Sequence, residues 1–458
     1  MKSISAITII LMLTITNLSA QCWEQISAGG DHSAGIRSDG TLWAWGANQH
    51  GQLGNGTTLE QKTPVQIGTA QDWRQVSVGR YHTIAIRNDG SLWTWGRNDD
   101  AQLGDGTHNS QQAPLQIGTA QDWQQVSAGY RHNLAIKNDG TLWAWGYNFN
   151  GELGDGTNIG KFFPKQIGLA NNWQKVAAGI YHSVAIKSNG SLWVWGQNSY
   201  GQLGIGTNAP LNFPLPIDTA HDWQSIAAGF HHTVAIKSDG SLWAWGGNDY
   251  GQLGDTSHQD QHLPVLIDAA HDWRQAAVGD NHTAAINSDG VLWTWGSNLN
   301  GELGHGNNDL EALPLPIGME DWQQVVVGAN HNLALKSDGS VWSWGLGANG
   351  QLGHGTTVAE NTPGQISCPV SATASGFLPG KSVQILPNPT QDFMLILVQD
   401  VQAAGLSFAI NNILGETMTA WQNLPTDQEV DLTPFPPGLY VLSIRNGNTQ
   451  LVRPFVKL

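Results

Sequence analysis

The sequence predicts an all-β protein, a seven-bladed β-propeller followed by a small β-sandwich domain. Three observations lead to this prediction. The 458 residues include 22 Trp and 56 Gly; the same Trp and His positions recur about every 50 residues through seven units; and short alternating apolar segments fill each unit without a helical period. With 40% hydrophobic residues, so many indoles require a large buried core, which excludes a disordered chain.

Three tryptophans and one histidine mark each unit. In the third unit Trp123 is followed by His132, and then by Trp143 and Trp145. The pattern runs through seven units and uses 21 of the 22 tryptophans. The first tryptophans are Trp23, Trp73, Trp123, Trp173, Trp223, Trp273 and Trp322. We interpret the seven histidines as structural, because all begin predicted strands, where an imidazole can satisfy backbone groups.

Each unit predicts four antiparallel strands. In the third unit, residues 123–129 and 132–136 have the short, alternating apolar and polar pattern of strands. Residues 137–140 contain the Asp-Gly pair of a hairpin turn. A third strand at 141–146, a polar Gly-rich loop and a fourth strand near 164–167 complete the unit. Four such strands repeated seven times are typical of propeller blades. Because each unit holds a whole blade, we expect the junction between the first and last blades to be weak.

The first twenty residues have the organisation of a secretory signal peptide. Lys2 supplies the positive region, residues 7–15 the apolar region, and Leu18-Ser19-Ala20 the cleavage site. Gln21, which is not a small residue, disfavours the alternative that Cys22 is lipidated. No later apolar run approaches the roughly 20 residues of a spanning helix, so we expect no transmembrane anchor.

Composition narrows the possible functions. The formal net charge is −16 without any basic run, which disfavours binding to nucleic acid or to anionic membranes. No Ser/His/Asp, paired-carboxylate or phosphate-loop pattern stands apart from the repeat, and each Asp-Gly turn offers one carboxylate, too few for Ca²⁺. We therefore predict a monomeric protein that is not an enzyme and that binds no cofactor or metal.

The repeat motif resembles a known family. The pattern Trp-x-x-Val-x-x-Gly-x-x-His, followed by Asp-Gly-Ser/Thr-Leu-Trp-x-Trp-Gly-x-Asn-x-x-Gly-Gln/Glu-Leu-Gly, is similar to the regulator of chromosome condensation repeat over about residues 22–367. Members of that family form seven-bladed propellers. Ala101 replaces a motif Gly, Asn189 replaces a turn Asp, and the last unit is one residue short.

This resemblance implies three models of function. They are guanine-nucleotide exchange on a small GTPase with chromatin binding, inhibition of an enzyme by the propeller face, and protein scaffolding. The predicted signal peptide and the acidic charge disfavour the first. The fold alone does not choose between the other two.

The only two cysteines flank the repeats. Cys22 precedes the first repeat Trp, and Cys368 follows the last repeat strand. A secreted protein permits a disulfide, so we predict one that closes the ring. Two free thiols are the alternative.

The repeat stops after Cys368. Residues 369–381 have the composition of a linker, and 382–458 contain short apolar strands. Pro387-Asn-Pro389, 412–416, 437–440 and 452–458 resemble the C-terminal sorting domain of the type IX secretion system. This implies contact with the secretion machinery, export, and then release or attachment at the cell surface; an accessory β-domain that binds a ligand is the alternative.

Two sets of loops vary between the units. In a four-stranded antiparallel blade, the turn between strands one and two and the loop between strands three and four share one face, here called the variable-loop face. The opposite face repeats its Asp-Gly turns. Six of the seven tyrosines fall on the variable-loop face. Our candidate partner-binding residues are Arg80, Tyr81, Tyr130, Arg131, Tyr147, Phe149, Tyr181, Tyr200, Phe230, His231, Tyr250, Asp280 and Asn281.

Aromatic and Arg side chains on rigid loops are typical of recognition surfaces. An extracellular protein is the leading partner, and a glycan that stacks on the same rings is the alternative. The structural interpretation is that tyrosines simply suit half-exposed loop positions.

Overall fold

The computed structural model describes residues 22–270, 272–318 and 321–368, and the tail segments 383–386, 393–398, 406–412, 417–423, 429–446 and 449–457. The chain divides into two compact units between Cys368 and Pro369. The predicted signal peptide at 1–20 and linker at 369–381 lie outside the described residues. The described residues contain no helix, hence none long and apolar enough to cross a membrane.

The first unit consists of seven four-stranded antiparallel sheets, and each sheet follows chain order. Blades 1 to 4 contain β1 (Trp23–Ala28), β2 (His32–Arg37), β3 (Leu42–Gly46), β4 (Gln61–Gln66); β5 (Trp73–Val78), β6 (His82–Arg87), β7 (Leu92–Gly96), β8 (Gln111–Gln116); β9 (Trp123–Ala128), β10 (His132–Lys137), β11 (Leu142–Gly146), β12 (Lys161–Gln166); and β13 (Trp173–Ala178), β14 (His182–Lys187), β15 (Leu192–Gly196), β16 (Leu211–Pro216).

Blades 5 to 7 repeat this order. They contain β17 (Trp223–Ala228), β18 (His232–Lys237), β19 (Leu242–Gly246), β20 (Gln261–Asp268); β21 (Trp273–Val278), β22 (His282–Asn287), β23 (Leu292–Gly296), β24 (Glu311–Pro316); and β25 (Trp322–Val327), β26 (His331–Lys336), β27 (Val341–Gly345), β28 (Glu360–Ile366). The first strands of neighbouring blades contact one another, so they surround the axis and the fourth strands form the rim. The predicted seven-bladed propeller is confirmed.

The hydrophobic core lies between blades. Between blades 2 and 3, Ile86 and Leu92 pack against Trp123, Val126 and Trp145 of the next blade. The indole Nε1 of Trp145 donates to the Gln102 carbonyl of blade 2 at 3.0 Å. One blade therefore cannot bury its own apolar faces, and the ring is stable only when blades stack.

A closed ring of hydrogen bonds runs through the seven buried histidines. His32 Nε2 meets Thr83 Oγ1 of the next blade at 3.0 Å. Because the Thr83 hydroxyl donates to the Gln52 carbonyl, the imidazole Nε2–H is the donor. The other six pairs are His82–Asn133, His132–Ser183, His182–Thr233, His232–Thr283, His282–Asn332 and His331–Ser33. This network agrees with a structural role, but the histidines bond side-chain oxygens of the next blade and not the backbone groups that we expected from the sequence.

Glycine before each histidine has a steric reason. A Cβ on Gly79 would clash with the His82 ring and would lie 2.6 Å from the Gly129 carbonyl. The motif Gly-x-x-His thus brings two neighbouring first strands and the imidazole together. Ala101, which replaces a motif Gly, keeps the left-handed conformation of its equivalents at φ 60°.

The junction between blades 7 and 1 has the same noncovalent contacts as the others. Ala329 N donates to the Gly29 carbonyl, and Trp45 Nε1 donates to the Gln351 carbonyl at 2.9 Å. The expected weakness is therefore limited to the missing chain connection. A disulfide between Cys22 and Cys368, with Cα atoms 6.1 Å apart, supplies a covalent link there.

Each fourth strand carries a proline, from Pro64 in β4 to Pro363 in β28. Proline on an edge strand removes a donor and discourages pairing with another chain. The residue before it varies from Ala113 in blade 2 to Phe163 and Leu263 in blades 3 and 5. The rim is thus protected against strand addition and tolerates side chains of different size.

The second unit contains two antiparallel sheets. One consists of β29 (Val383–Leu386), β30 (Phe393–Val398) and β33 (Glu429–Asp431); the other consists of β32 (Thr417–Asn423), β31 (Leu406–Asn412), β34 (Gly438–Asn446) and β35 (Thr449–Lys457). Tyr440 donates its hydroxyl to the Pro436 carbonyl, and the buried Lys457 ammonium donates to the Leu432 carbonyl, both at 2.7 Å. This unit agrees with the predicted small all-β domain.

Candidate functional site: the variable-loop face

The seven turns after the first strands converge around the axis. Each turn's first N–H donates to a backbone carbonyl of the next blade; Tyr130 N, for example, donates to the Gly179 carbonyl at 3.3 Å. The residues that carry these N–H groups are Gly30, Arg80, Tyr130, Ile180, Phe230, Asp280 and Ala329. Sequence differences at these seven positions therefore meet in one small area.

The loops after the third strands share this face, as predicted. Tyr147 N donates to the Arg131 carbonyl at 2.9 Å, and Arg97 N donates to the Tyr81 carbonyl at 2.9 Å. The loop after the third strand therefore begins with a backbone hydrogen bond to the turn after the first strand of the same blade. The side chains of both loop sets are held by the sheet.

An axial cavity of about 100 Å³ opens among the inner turns. Across it, Arg80 Nη1 donates to Asp280 Oδ2 at 3.0 Å, which connects blade 2 to blade 6. Burial disfavours the Arg80 cation, yet the Asp280 carboxylate holds the pKa of the guanidinium above its usual value. Burial raises the pKa of Asp280, and Arg80 opposes that shift.

An aromatic cluster extends from the axis over blades 1 to 5. Ring contacts with centroids 3.7–6.4 Å apart connect it: His50–Tyr81, Tyr81–Tyr130, Tyr130–Tyr181, Tyr181–Tyr147, Tyr147–Phe149, Tyr181–Phe230, Phe230–His231 and His231–Tyr200. Phe149 is 71% exposed, whereas most of the others are half-buried. These rings offer a continuous surface with little side-chain freedom.

Three arginines lie against these rings, and each has a carboxylate partner. Arg131 pairs with Asp100 at 3.3 Å, and its guanidinium lies 5.0 Å from the Tyr130 centroid. Arg97 pairs with Asp99 at 2.8 Å and lies 5.5 Å from Tyr81. Arg80, paired with Asp280, also lies over Tyr130. The arginines therefore add planar donors without adding net charge.

One of the two histidines in the cluster, His231, is neutral at physiological pH. His231 stacks on Phe230 with centroids 3.7 Å apart and on Tyr200 at 3.9 Å. Burial lowers the pKa of His231 to about 4. Burial also raises the pKa of Tyr147 and Tyr181, so their hydroxyls stay protonated and can donate.

The structure brings eleven of the thirteen candidate residues together. Ten belong to the aromatic and arginine cluster, and Asp280 joins it through Arg80. Tyr250 and Asn281 lie on the same face, but no ring or side-chain contact among the described residues links them to the cluster. The candidate list left out four residues that the structure also places here, although each lies in a variable loop: His50, Arg97, Asp100 and Ile180.

The turn sequences on the opposite face vary little between blades, and the structure shows why. In blade 3, Thr141 N and Oγ1 donate to Asp139 Oδ1, and Trp143 Nε1 donates to Thr141 Oγ1 at 2.9 Å. The Lys137 ammonium lies between the rings of Trp123 and Trp143, 4.7 and 4.6 Å from their centroids. These contacts hold the turn and the outer indole in place. The turn sequence therefore recurs from blade to blade because the blade structure depends on it.

One chain of hydrogen bonds has the residue types of a hydrolase triad. Ser343 Oγ meets His354 Nε2 at 3.0 Å, and His354 Nδ1 meets Glu360 Oε1 at 2.8 Å. Ser343 is fully buried and donates to the Leu352 carbonyl, so its hydroxyl cannot meet a substrate. The described residues also contain no group of three His, Cys, Asp or Glu placed to hold a metal.

These features define a seven-bladed β-propeller with one structurally constrained face and one variable face. Two models of the regulator of chromosome condensation (RCC1) repeat match it, and one matches residues 39–86, 89–136, 139–186, 189–236, 239–286, 289–335 and 338–378. The chain belongs to this repeat family. Residues 384–457 match the secretion system C-terminal sorting domain. The chain is therefore a propeller protein marked for secretion or for the cell surface by the type IX machinery.

Solved structures with the same fold include human WBSCR16, with a TM-score of 0.65 and 22% identity over 71% of this chain and 94% of that one. Prp20p of Saccharomyces cerevisiae has a TM-score of 0.64 and 22% identity over 79% and 91%. The ultraviolet-B receptor UVR8 of Arabidopsis thaliana is 46% identical over 50 residues, which are 11% of each chain. That similarity thus has the length of one repeat of this chain and covers only a small part of the receptor.

Proposed function

We propose that this protein is a secreted, non-catalytic binding protein that captures an extracellular protein through its variable-loop face. The aromatic and arginine cluster of blades 1 to 5 is the observation that supports this most strongly. Tyr and Arg dominate the energetic centres of protein interfaces. Here they are held by ring contacts and ion pairs, so binding costs little side-chain entropy.

The pairing of charges favours a partner of low charge at the contact. Arg80, Arg97 and Arg131 each face an aspartate, so the cluster has no net basic field to attract phosphates. Prp20p is described as binding Gsp1p and histones. We propose protein binding for this chain as well, with a partner outside the cell because the sorting domain directs the chain there.

The test is partner capture from the native extracellular environment, followed by mass spectrometry. The variant Tyr130→Ala/Phe230→Ala should lose at least about 90% of the captured partner, because two central rings are removed. Phe163→Ala, which removes an exposed ring from the rim, is the matched control and should capture normally. Melting followed by tryptophan fluorescence should show all variants folded. Unchanged capture by the double variant would contradict the proposal.

A glycan is the second candidate ligand. The exposed ring of Phe149 could stack on a sugar, and the nearby Arg and Asp side chains could bind its hydroxyls. A glycan array probed with the whole protein separates the two proposals. Specific sugar binding that is lost in Phe149→Ala, without any captured protein, would favour the glycan.

A further inference from the structure

Tyr250 and Asn281 are the two candidate binding residues that lie outside the aromatic cluster. Tyr250 belongs to the loop after the third strand of blade 5, and Asn281 to the turn after the first strand of blade 6. We infer that the partner protein places one arginine side chain between these two residues, with its guanidinium on the Tyr250 ring. We call this position the Tyr250 site. The inference rests on the proposed function and assigns one residue type of the partner to one position on the face.

The equivalents of Tyr250 and Asn281 contact one another in other blades. In each case the loop after the third strand of one blade meets the first turn of the next. These contacts are His50–Tyr81, with ring centroids 5.4 Å apart, Tyr200–His231 at 3.9 Å, and the Asp100–Arg131 ion pair at 3.3 Å. The backbone of blade 6 repeats the arrangement, because Ser297 N donates to the Asn281 carbonyl at 2.8 Å. Tyr250 and Asn281 therefore occupy positions at which the loop of one blade meets the turn of the next.

The ring of Tyr250 is open to a ligand. It makes no ring contact within the described part of the chain, and it is 38% exposed, whereas the residue at this position is half-buried in the other six blades. Asn281 is short, and its half-buried amide forms no hydrogen bond with any described side chain. An open tyrosine face beside an amide oxygen that can accept suits a planar cationic donor.

Blade 3 shows a guanidinium at the equivalent place. There, burial and the charge of Glu152 raise the pKa of Tyr147, and the Arg131 guanidinium opposes that shift, so both charges lie near the Tyr147 hydroxyl. Blade 6 keeps the buried glutamate, since Glu302 accepts two bonds from Asn300 as Glu152 does from Asn150. In place of Arg131 and Tyr147, however, it has the shorter Asn281 and Ser297. Blade 6 thus lacks the cation that blade 3 supplies from its own chain.

The charges of the neighbouring loops favour a cation. On the variable-loop face, the loops of blades 5 to 7 contain no Lys or Arg, and their acidic residues are Asp249, Asp255, Asp260, Asp280, Glu302 and Asp309. Among these, only Asp280 has a Lys or Arg partner within the described residues. The arginines of the aromatic cluster are already paired with carboxylates. The neutral contact that we propose for the cluster therefore does not extend to blade 6.

Arginine suits this site better than lysine does. A guanidinium can lie flat on a tyrosine ring while its N–H groups donate in the plane, whereas an ammonium is a compact point charge. Asp249, which precedes Tyr250, is exposed and can accept such a bond. Burial lowers the pKa of His231, and the Asp249 carboxylate opposes that shift, so its charge reaches the turns near the axis.

The experiment selects disulfide-constrained peptides from a random phage library on the immobilised full-length protein. We expect the selected peptides to share one arginine. Tyr250→Ala should weaken a selected peptide roughly fivefold or more, because the stacking surface is lost. Tyr250→Phe keeps the ring and should bind like the parent. Asn281→Arg gives blade 6 the residue that blade 3 carries, and its guanidinium should exclude that of the peptide and weaken binding at least about tenfold.

Two controls isolate the Tyr250 site. Asn330→Arg makes the same substitution at the equivalent position of blade 7, where the loop residue of the preceding blade is Asn300 and not an aromatic ring. At about 0.3 M salt, which screens charges beyond roughly 6 Å, it should leave peptide affinity within about twofold. Replacing the shared arginine of the peptide by alanine should weaken binding to the parent and have little further effect on Asn281→Arg. Tryptophan fluorescence melting checks folding; if Asn281→Arg does not fold, Tyr250→Ala is the deciding variant.

The outcomes distinguish this inference from the proposed function. Peptides that need Tyr130 and Phe230 but bind Tyr250→Ala and Asn281→Arg normally would overturn the Tyr250 site and leave the proposed function standing. Peptides without a shared arginine would do the same, and a shared lysine in its place would overturn the choice of a guanidinium. Peptides that need Tyr250 but neither Tyr130 nor Phe230 would support the site and contradict the aromatic cluster as the binding centre. A protein that selects no peptide but binds sugars on an array would overturn both.

Discussion

Arg80 and Asp280 form an ion pair 3.0 Å long across the propeller axis, although they are 200 residues apart and belong to blades 2 and 6. These blades are not neighbours in the ring. Their first turns meet only because all seven turns converge on the axis. The pair therefore braces the centre of the variable-loop face across the ring.

Removal of Arg80 should destabilise the protein in a pH-dependent manner. Burial raises the pKa of Asp280, so the folded state disfavours its charge, and loss of the guanidinium should raise that pKa further. We expect Arg80→Met to cost about 1–2 kcal/mol at pH 7.5, because both side chains are only partly exposed. As pH falls, Asp280 becomes protonated in the folded variant at a higher pH than in the parent, and the cost should shrink.

The measurement is the difference in melting temperature between variant and parent from pH 8 to pH 5. Using the difference cancels the other titrating groups. The double variant Arg80→Met/Asp280→Asn has no buried carboxylate left without a partner. The difference between its melting temperature and that of the parent should therefore not change with pH. If the melting-temperature difference of Arg80→Met is also constant with pH, the pKa of Asp280 does not depend on Arg80.

The ring of buried histidines should make the propeller sensitive to acid. Complete burial lowers the pKa of His32, His132, His182, His232 and His331 to about 3, and that of His82 to about 4. Burial also lowers the pKa of His282. In each of the seven, Nε2 bonds to the next blade. Their buried Nδ1 atoms, in all but His282, have no hydrogen-bond partner in the described structure, so a second proton there is disfavoured.

Because the folded pKa lies below the unfolded value of 6.5, each histidine contributes stability above pH 6.5. For the six histidines other than His282, this contribution is lost as pH falls towards 3 to 4. The expected slope is roughly 1.4 kcal/mol per pH unit for each histidine. Melting temperatures at pH 8, 6 and 5, followed by tryptophan fluorescence, check this. His132→Gln should lower stability at pH 8 and make the slope shallower; a parent whose stability is flat from pH 8 to 5 would contradict the prediction.

The sequence predicted the blades because their determinants repeat. Trp123, His132 and Trp145 have equivalents in every unit, and these side chains are buried in each blade, so periodicity alone reveals the fold. The variable-loop face was predicted from a comparison of the seven units, because its loops are the positions at which the repeat sequence varies. Its grouping of Tyr81, Tyr130 and Tyr181 follows from the ring geometry.

The parts that could not be predicted depend on side-chain directions. Arg80 and Asp280 occupy equivalent turn positions, but nothing in the repeat indicates that their side chains cross the axis. Tyr250 shares its loop position with Tyr200, which stacks on His231. Because the equivalent turn residue in the next blade is Asn281, Tyr250 has no ring to stack on there.

The disulfide should contribute to stability by linking the two ends of the ring. The junction of blades 7 and 1 has no connecting chain, and the bond between Cys22 and Cys368 supplies a covalent link. Cys22→Ser/Cys368→Ser should lose roughly 2–4 kcal/mol, since the open chain gains conformational freedom. Dithiothreitol should lower the melting temperature of the parent to that of the variant and leave the variant unchanged. Equal melting of parent and variant without reductant would contradict a stabilising role.

Substitutions on the opposite face should change stability without changing recognition. In blade 3, Asp139 holds Thr141, which in turn holds the indole of Trp143. In blade 4, Asn189 takes the place of this aspartate and accepts the same two bonds from Ser191, at 3.2 and 2.7 Å. We therefore expect Asp139→Asn to melt like the parent and Asp139→Ala to melt lower, because only the amide oxygen can still accept the turn's donors. Both variants should capture the partner normally when they are folded, and a folded Asp139→Ala protein that fails to capture it would move the binding site to this face.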